Sequence, residues 1–176
     1  VGAIAVGLGP GSFTGLRVGI ATARALGLSR GLPVTGVCTL DALGRALSER
    51  AGDSECLAVL DARRGEVFAA LYAASGERLW GPLVCSPAEL AERVGERTEP
   101  LPAAGSGAVR FRQELASCGV EAPDDADPVH RIAARHVCAL ASAAIGGEGP
   151  GPVAPIYLRP PDAERWRERD TSQAAE

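Results

Sequence analysis

Gly9-Pro10-Gly11-Ser12-Phe13-Thr14-Gly15-Leu16-Arg17 is where the chain gathers the residue types that could bind an anion. A glycine loop running into a helix offers bare backbone N–H groups to a negative group, helped by the positive end of the helix. The known phosphate loops do not match it. A Walker A loop needs a lysine, and this chain has none. The dinucleotide pattern G-x-G-x-x-G would begin at Gly9-Pro10-Gly11, but Thr14 stands where the third glycine belongs and Gly15 comes one position late. A second reading is a tight strand-to-helix turn with Ser12 or Thr14 as the helix cap. A third comes from spacing. Gly15, Gly19, Ala23 and Gly27 recur every four residues and form a smooth stripe for close helix packing, on the chain's own sheet or on a partner. Arg17 and Arg24, two turns apart, are expected on a solvated or partner-facing side.

Catalytic constellations are sparse. Ser12 is not in a G-x-S-x-G elbow, and neither histidine carries a sequence cue as its base. His130 and His136 lie six apart on one predicted helix, off any shared face, with no Cys or Asp spacing to complete a metal site. No metal and no cofactor are expected. Asp61-Ala62-Arg63-Arg64-Gly65-Glu66 is charged enough to suggest an anion or partner contact, but a solvated hairpin with Asp61 bracing the turn is the favoured explanation.

Composition bounds the rest. The 176 residues allow one or two domains, with 46% hydrophobic and 4% aromatic residues, so Ala, Leu and Val carry the packing. A net charge of −4, with every basic residue arginine, gives no support for a nucleic-acid surface. Five dispersed cysteines without a C-x-x-C pair read as reduced thiols, and no signal core or membrane span is seen, so a cytoplasmic protein is expected. Methionine is absent, and Val1 is expected to be internal to a longer chain.

These residues are placed by alternating elements. Residues 2–8 read as a buried strand, Leu16 to Arg30 as a helix stopped by Gly31 and Pro33, and Val34 to Cys38 as the next strand. Thr39 is the expected N-cap of a helix carrying Leu40, Leu43 and Leu47. The opening is thus a βαβ unit. Leu57 to Leu60 and Glu66 to Tyr72 are predicted to pair through a hairpin with Gly65 left-handed. Ser86-Pro87-Ala88-Glu89 is a capping box opening a helix to about Val94. Leu101 to Ala104, a Gly105-Ser106-Gly107 turn, a helix through Leu115 and an acidic loop at 118–127 follow. Asp127-Pro128 is expected to cap a longer helix with Val129, Ile132, Val137, Leu140 and Ala144 on one side. A link at 146–155 leads to an extended Pro155-Ile156-Tyr157-Leu158-Arg159, and the charged tail beyond is expected to be disordered. The class is α/β.

The glycine loop, Gly19, Pro33-Val34-Thr35-Gly36-Val37-Cys38-Thr39-Leu40, Asp61 to Val67, Gly105-Ser106-Gly107 and Pro155 to Arg159 together resemble the TsaB (YeaZ) family, in family order. The resemblance implies an actin/Hsp70/sugar-kinase-like (ASKHA) fold: residues 1–52 the remainder of an incomplete N-terminal subdomain, 53–161 a second, and 162–176 the tail. The family's opening strands with their Asp-Thr-Ser motif are missing from this sequence. The resemblance further implies an accessory subunit of TsaD, the enzyme that transfers threonylcarbamoyl to tRNA adenosine. It implies too that TsaE joins the complex, that tRNA is reached only indirectly, and that the subunit forms a homodimer when alone. TsaD-type proteins place a His-x-x-x-His metal pair after the second strand; Thr39-Leu40-Asp41-Ala42-Leu43 holds no histidine there. The partner interface is expected on Gly15, Arg17, Gly19, Ala23, Arg24 and Gly27 and on the helix from Leu40, so that arginine at Gly19 or Ala23 blocks the partner without unfolding the chain. The competing readings are a nucleotide-binding kinase-like protein and a glycopeptidase-like (M22) enzyme of the same fold.

Overall fold

In the computed structural model, which describes residues 1–146 and 153–159, β1 (Ile4–Gly9) and β2 (Val34–Cys38) run parallel. A parallel pair needs a crossover, and α1 (Phe13–Arg30) supplies it. Ser12 caps α1, its Oγ accepting the Gly15 N–H at 3.3 Å. At Gly27 a Cβ would fall 2.4 Å from Val34 Cγ2, so only glycine lets α1 close onto β2 there.

The second sheet has the order β5-β4-β3-β6-β7. Here β3 is Cys56–Arg63, β4 Glu66–Tyr72, β5 Arg78–Cys85, β6 Leu101–Ala104 and β7 Val120–Glu121. The β3–β4 and β4–β5 pairs are antiparallel, while β3–β6 and β6–β7 are parallel. The central strands are apolar on both sides because both faces are covered. Ala58, Leu60, Phe68, Ala70 and Tyr72 pack with Leu40, Leu43 and Leu47 of α2 (Thr39–Ala51). Leu57, Val59, Val67, Ala69 and Leu71 face the other way, onto Leu90 of α3 (Pro87–Val94) and Leu115 of α5 (Arg112–Ala116), beside α4 (Ser106–Arg110). The last helix, α6 (Ala134–Gly146), closes over α2 and the first sheet through Val137, Leu140 and Ala141.

Several expectations need correction. The N-cap of α2 is Cys38, not Thr39; the Thr39 hydroxyl donates instead to the Pro10 carbonyl at 2.6 Å and ties the glycine loop to α2. The periodic run after Asp127 is not one helix. Pro128–His130 is a single 3₁₀ turn, Arg131 returns to extended backbone, and α6 begins only at Ala134. Two bonds fix the turn: Asp127 accepts the Val129 N–H at 2.9 Å, and Arg50 of α2 holds its carboxylate at 2.7 Å. Val129 is buried in that turn, whereas Ile132 is exposed. β5 escaped the sequence reading because Gly81-Pro82 interrupts it; as an edge strand it tolerates the missing donor. The hairpin has Gly65 left-handed as expected, but Arg63 and Arg64 are left-handed as well, at φ 66 and 57. The expected tail at 162–176 and most of the 146–155 link lie outside the described residues.

Candidate functional site

Three motifs far apart in sequence meet along Val153–Arg159. Arg24 Nη2 donates to the Val153 carbonyl at 2.7 Å, and the Ile156 N–H to the Leu8 carbonyl at 2.7 Å. Arg17 Nε donates to the Tyr157 hydroxyl at 2.9 Å, and its guanidinium lies 4.0 Å over the Phe13 ring. The Phe13 and Tyr157 ring centroids are 5.2 Å apart. Arg159 then reaches the hairpin, donating to the Ala62 carbonyl at 3.0 Å and pairing with Glu66. The segment makes no ladder, but this row of contacts straps the glycine loop to the hairpin.

The glycine loop is therefore shaped by its own chain. Gly9 sits at φ +107, and a Cβ there would lie 2.9 Å from the Ile156 carbonyl. Pro10 accepts from Thr39, Ser12 is spent on its cap, and Gly11 and Thr14 are exposed. Arg17 and Arg24, expected on a solvated or partner-facing side, are exposed and also hold the strap.

The small-residue stripe also needs correction. Four residues advance a helix by slightly more than a full turn, so each step drifts about 40° around the axis. Gly15 is exposed and Gly19 half-buried, with the nearest neighbour of a Cβ being Val6 Cγ2 at 3.9 Å; Ala23 and Gly27 are buried on the chain's own sheet. An arginine at Ala23, which is 5% exposed, would break the fold and so cannot report on a partner. On α2, Leu40, Ala42, Leu43, Gly44, Ala46 and Leu47 are buried between the second sheet and α6, which leaves Arg45, Glu49 and Arg50 on its exposed side.

At the hairpin, Asp61 is the hub. Its Oδ1 accepts the Arg63 N–H and its Oδ2 accepts Arg110, both at 2.8 Å, while its own N–H donates to Ser106 Oγ at 3.1 Å. Partial burial pulls the Asp61 carboxyl up, but the Arg63 N–H and then Arg110 outweigh it and hold it below the ordinary value. A polar cluster that no local signal announced lies behind α2. Tyr72 and Arg78 both donate to Asp41 Oδ1 at 2.9 Å, and burial, then the Asp41 charge, push the Tyr72 phenol far up.

The histidines are on separate elements. His130 Nδ1 accepts the Gly105 N–H at 3.1 Å, which leaves Nε2 to donate towards the Asp124 and Pro123 carbonyls at 3.1 and 3.3 Å. His136 is 3% exposed, its Nε2 has no partner, and Glu49 lies 3.7 Å from Nδ1. Desolvation holds its pKa below the usual 6.5, against the pull of Glu49. The unfolded chain therefore takes up this proton first on acidification, and the stability from neutral His136 is present above pH 6.5 and lost as pH falls below it. The thermal midpoint is expected to decline from pH 7.5 towards 5.5, and His136→Gln to flatten that decline. A wild-type midpoint that does not move over this range would show that His136 protonates freely in the fold.

Among the described residues no group of three His, Cys, Asp or Glu is placed to hold a metal ion, and no helix is long and apolar enough to cross a membrane. All five cysteines are free thiols. A mostly apolar cavity of ≈ 310 Å³ opens between Leu47, Arg50, Pro102, Glu121, Pro123 and Val129; no residue named from sequence as a site lines it.

Residues 1–122 match the family model described as TsaD: tRNA N6-adenosine threonylcarbamoyltransferase. The tRNA threonylcarbamoyladenosine biosynthesis protein TsaB of Escherichia coli is 39% identical over 101 residues, which is 57% of this chain and 44% of that protein. The chain belongs to the TsaB (YeaZ) branch of this family. An uncharacterized protein of Mycobacterium tuberculosis is 40% identical over 163 residues, 92% of this chain. This TsaB-type chain spans 66% of the length of that mycobacterial relative. The crystal structure of an uncharacterized Pseudomonas aeruginosa protein with similarity to peptidase YeaZ superposes with a TM-score of 0.74 at 28% identity, covering 90% of this chain and 74% of that one. YeaZ from the same organism gives 0.69 at 29% identity, with the same coverage. The ASKHA-like α/β fold implied by the sequence resemblance is thus the fold observed.

The sequence marks Tyr157 and Arg159 only as part of a motif. Their partners, Arg17 and Glu66, lie too far along the chain for any periodicity to connect them.

Proposed function

We propose that this chain is a cytoplasmic, non-catalytic subunit that binds and supports a TsaD-type threonylcarbamoyltransferase forming threonylcarbamoyladenosine in tRNA, with TsaE in the same assembly. The relatives named TsaB in Escherichia coli and Bacillus subtilis are tRNA threonylcarbamoyladenosine biosynthesis proteins, which supports that pathway. The reading treats residues 1–52 and 53–161 as two ASKHA-like subdomains, β1 and β2 falling in the first and β3 to β7 in the second.

The observation that carries the subunit role is the outward face of α1. Val18, Ala21, Thr22 and Ala25 follow helical spacing on the side away from β1 and β2, flanked by Leu26 and Leu28. Val18 is 60%, Leu26 48% and Leu28 89% exposed. A contiguous apolar helix face is what a partner helix covers, whether it belongs to the TsaD-type subunit or to a second copy in a homodimer. Of the interface expected on Gly15 to Gly27, Ala23 and Gly27 are buried on the sheet, so the reading shifts to this outward face. Against a nucleotide-binding role stands the glycine loop, whose approach at Gly9 is taken by Ile156.

Size-exclusion chromatography of the full-length protein with a TsaD-type subunit tests the proposal. Co-elution, with no heat of binding for ATP and Mg²⁺ to this protein alone, is the expected result. Separate elution together with ATP binding would favour the kinase-like reading.

A further inference from the structure

α1 is a long helix with little burial to hold it. Only three of its 18 residues are buried, Ile20, Ala23 and Gly27, and two of those bring almost no apolar side chain to the contact. Its packing is onto β1 and β2, a sheet of two strands. A helix docks through the width of its apolar stripe, and this stripe is narrow. An element with so few buried contacts sits at the low end of local stability unless a second fastening holds it.

The strap provides that fastening. Arg17 bonds the Tyr157 hydroxyl and Arg24 the Val153 carbonyl, so the later helix residue meets the earlier strap residue. From Arg17 to Arg24 the helix advances about 10 Å, and from Val153 to Tyr157 an extended chain covers about 13 Å. The strap therefore lies alongside α1 and runs the opposite way. The same segment packs Ile156 and Leu158 against the core shared by α2 and the second sheet. It ends on Arg159, whose side chain is only 19% exposed and is engaged twice, by the Ala62 carbonyl and by Glu66. Both partners belong to the β3–β4 hairpin and neither to α1. The helix is thus tied, through a short length of chain, to the second sheet.

We propose, resting on the subunit reading above, that the strap is a latch: Arg159 pins it to the hairpin, and the pinned strap sets the position in which α1 offers Val18, Ala21, Thr22 and Ala25 to the TsaD-type subunit. Arg159 and Tyr157 are positioning residues, which act on the partner through α1. A helix already fixed in its binding position loses less freedom on association, so release of the latch lowers affinity.

Two measurements on the full-length protein test this together: hydrogen–deuterium exchange of the protein alone, and its affinity for a TsaD-type subunit by titration calorimetry. Arg159→Ala should raise exchange of the α1 amides about fivefold and weaken the affinity about fivefold, while exchange in α2, α3 and β6 stays as in wild type. Arg159→Lys, which keeps a cation for Glu66, should restore part of both. Tyr157→Phe removes only the hydroxyl that accepts from Arg17, and it should move both readouts in the same direction. Added to Arg159→Ala it should change little more, because the same strap is already loose. Unchanged α1 exchange in Arg159→Ala would overturn the proposal. So would exchange that rises equally throughout the chain, the mark of a merely structural residue. Weakened affinity with α1 exchange as in wild type would overturn it too, since the strap would then touch the partner itself. If wild type does not bind the TsaD-type subunit, the subunit reading falls instead, and exchange of α1 in the protein alone still decides whether the strap holds the helix.

Discussion

Replacing Gly105 by alanine should cost about 3 kcal/mol or more of stability, one of the largest single-residue effects in this fold. Gly105 stands at φ +114, where an L side chain is strained whatever the space around it. Space is also absent. The added Cβ would lie 2.2 Å from the Val59 carbonyl oxygen and 2.8 Å from Leu43 Cδ2, and the oxygen belongs to the backbone of a buried central strand that cannot yield. The turn joins β6 to α4 beneath the hairpin, and Ser106 accepts the Asp61 N–H there, so disturbance at Gly105 reaches the hub of the strap. Urea unfolding of the alanine variant checks this through its midpoint. His130→Ala, which removes the acceptor for the Gly105 N–H without moving backbone, should cost less, about 1–2 kcal/mol. An alanine variant as stable as wild type would mean that β3 and the turn are not in the contact described.

The second large effect concerns binding. Val18→Arg combined with Leu28→Arg should reduce affinity for the TsaD-type subunit by roughly a hundredfold or more, because two cations would be buried unpaired in an apolar contact. Both side chains point away from the sheet, at 60% and 89% exposure, so the substitutions should change stability by only about 0.5 kcal/mol each. Ala23→Arg is the opposing control: at 5% exposure, it should unfold the protein before any partner is tested. Chromatographic co-elution and a thermal midpoint on the same samples separate the two behaviours. A double variant that still co-elutes would place the partner elsewhere.

The elements were largely readable because their signals are local. The βαβ opening follows from a short apolar run, a periodic helix and a second short run; the capping box at Ser86 and Glu89 formed as its spacing indicates, with both reciprocal bonds present. The helix expected from Asp127 failed because periodicity records where apolar residues recur and is blind to an ion pair from another element; Arg50 decides that turn from 77 residues away. Of the stripe from Gly15 to Gly27 only Ala23 and Gly27 pack on the sheet, which spacing alone does not reveal. A four-residue repeat drifts around the helix, and only the position of β2 shows which end is buried. The strap was illegible for a further reason: the bond from Arg17 to Tyr157 spans 140 residues, and neither side chain has a local pattern that names the other. The glycine loop has the composition of a phosphate cradle but is shaped by Ile156 and Thr39.

The central claim, a supporting subunit that does no chemistry itself, is tested most directly by reconstitution. Threonylcarbamoyladenosine formed in tRNA is measured with a TsaD-type enzyme, TsaE and threonylcarbamoyl-adenylate, in the presence and absence of the full-length protein. The account predicts that modification requires this protein, that the protein with tRNA and adenylate but no TsaD-type enzyme yields none, and that Val18→Arg with Leu28→Arg abolishes the support. Equal modification without the protein, or modification by the protein without a TsaD-type enzyme, would contradict it.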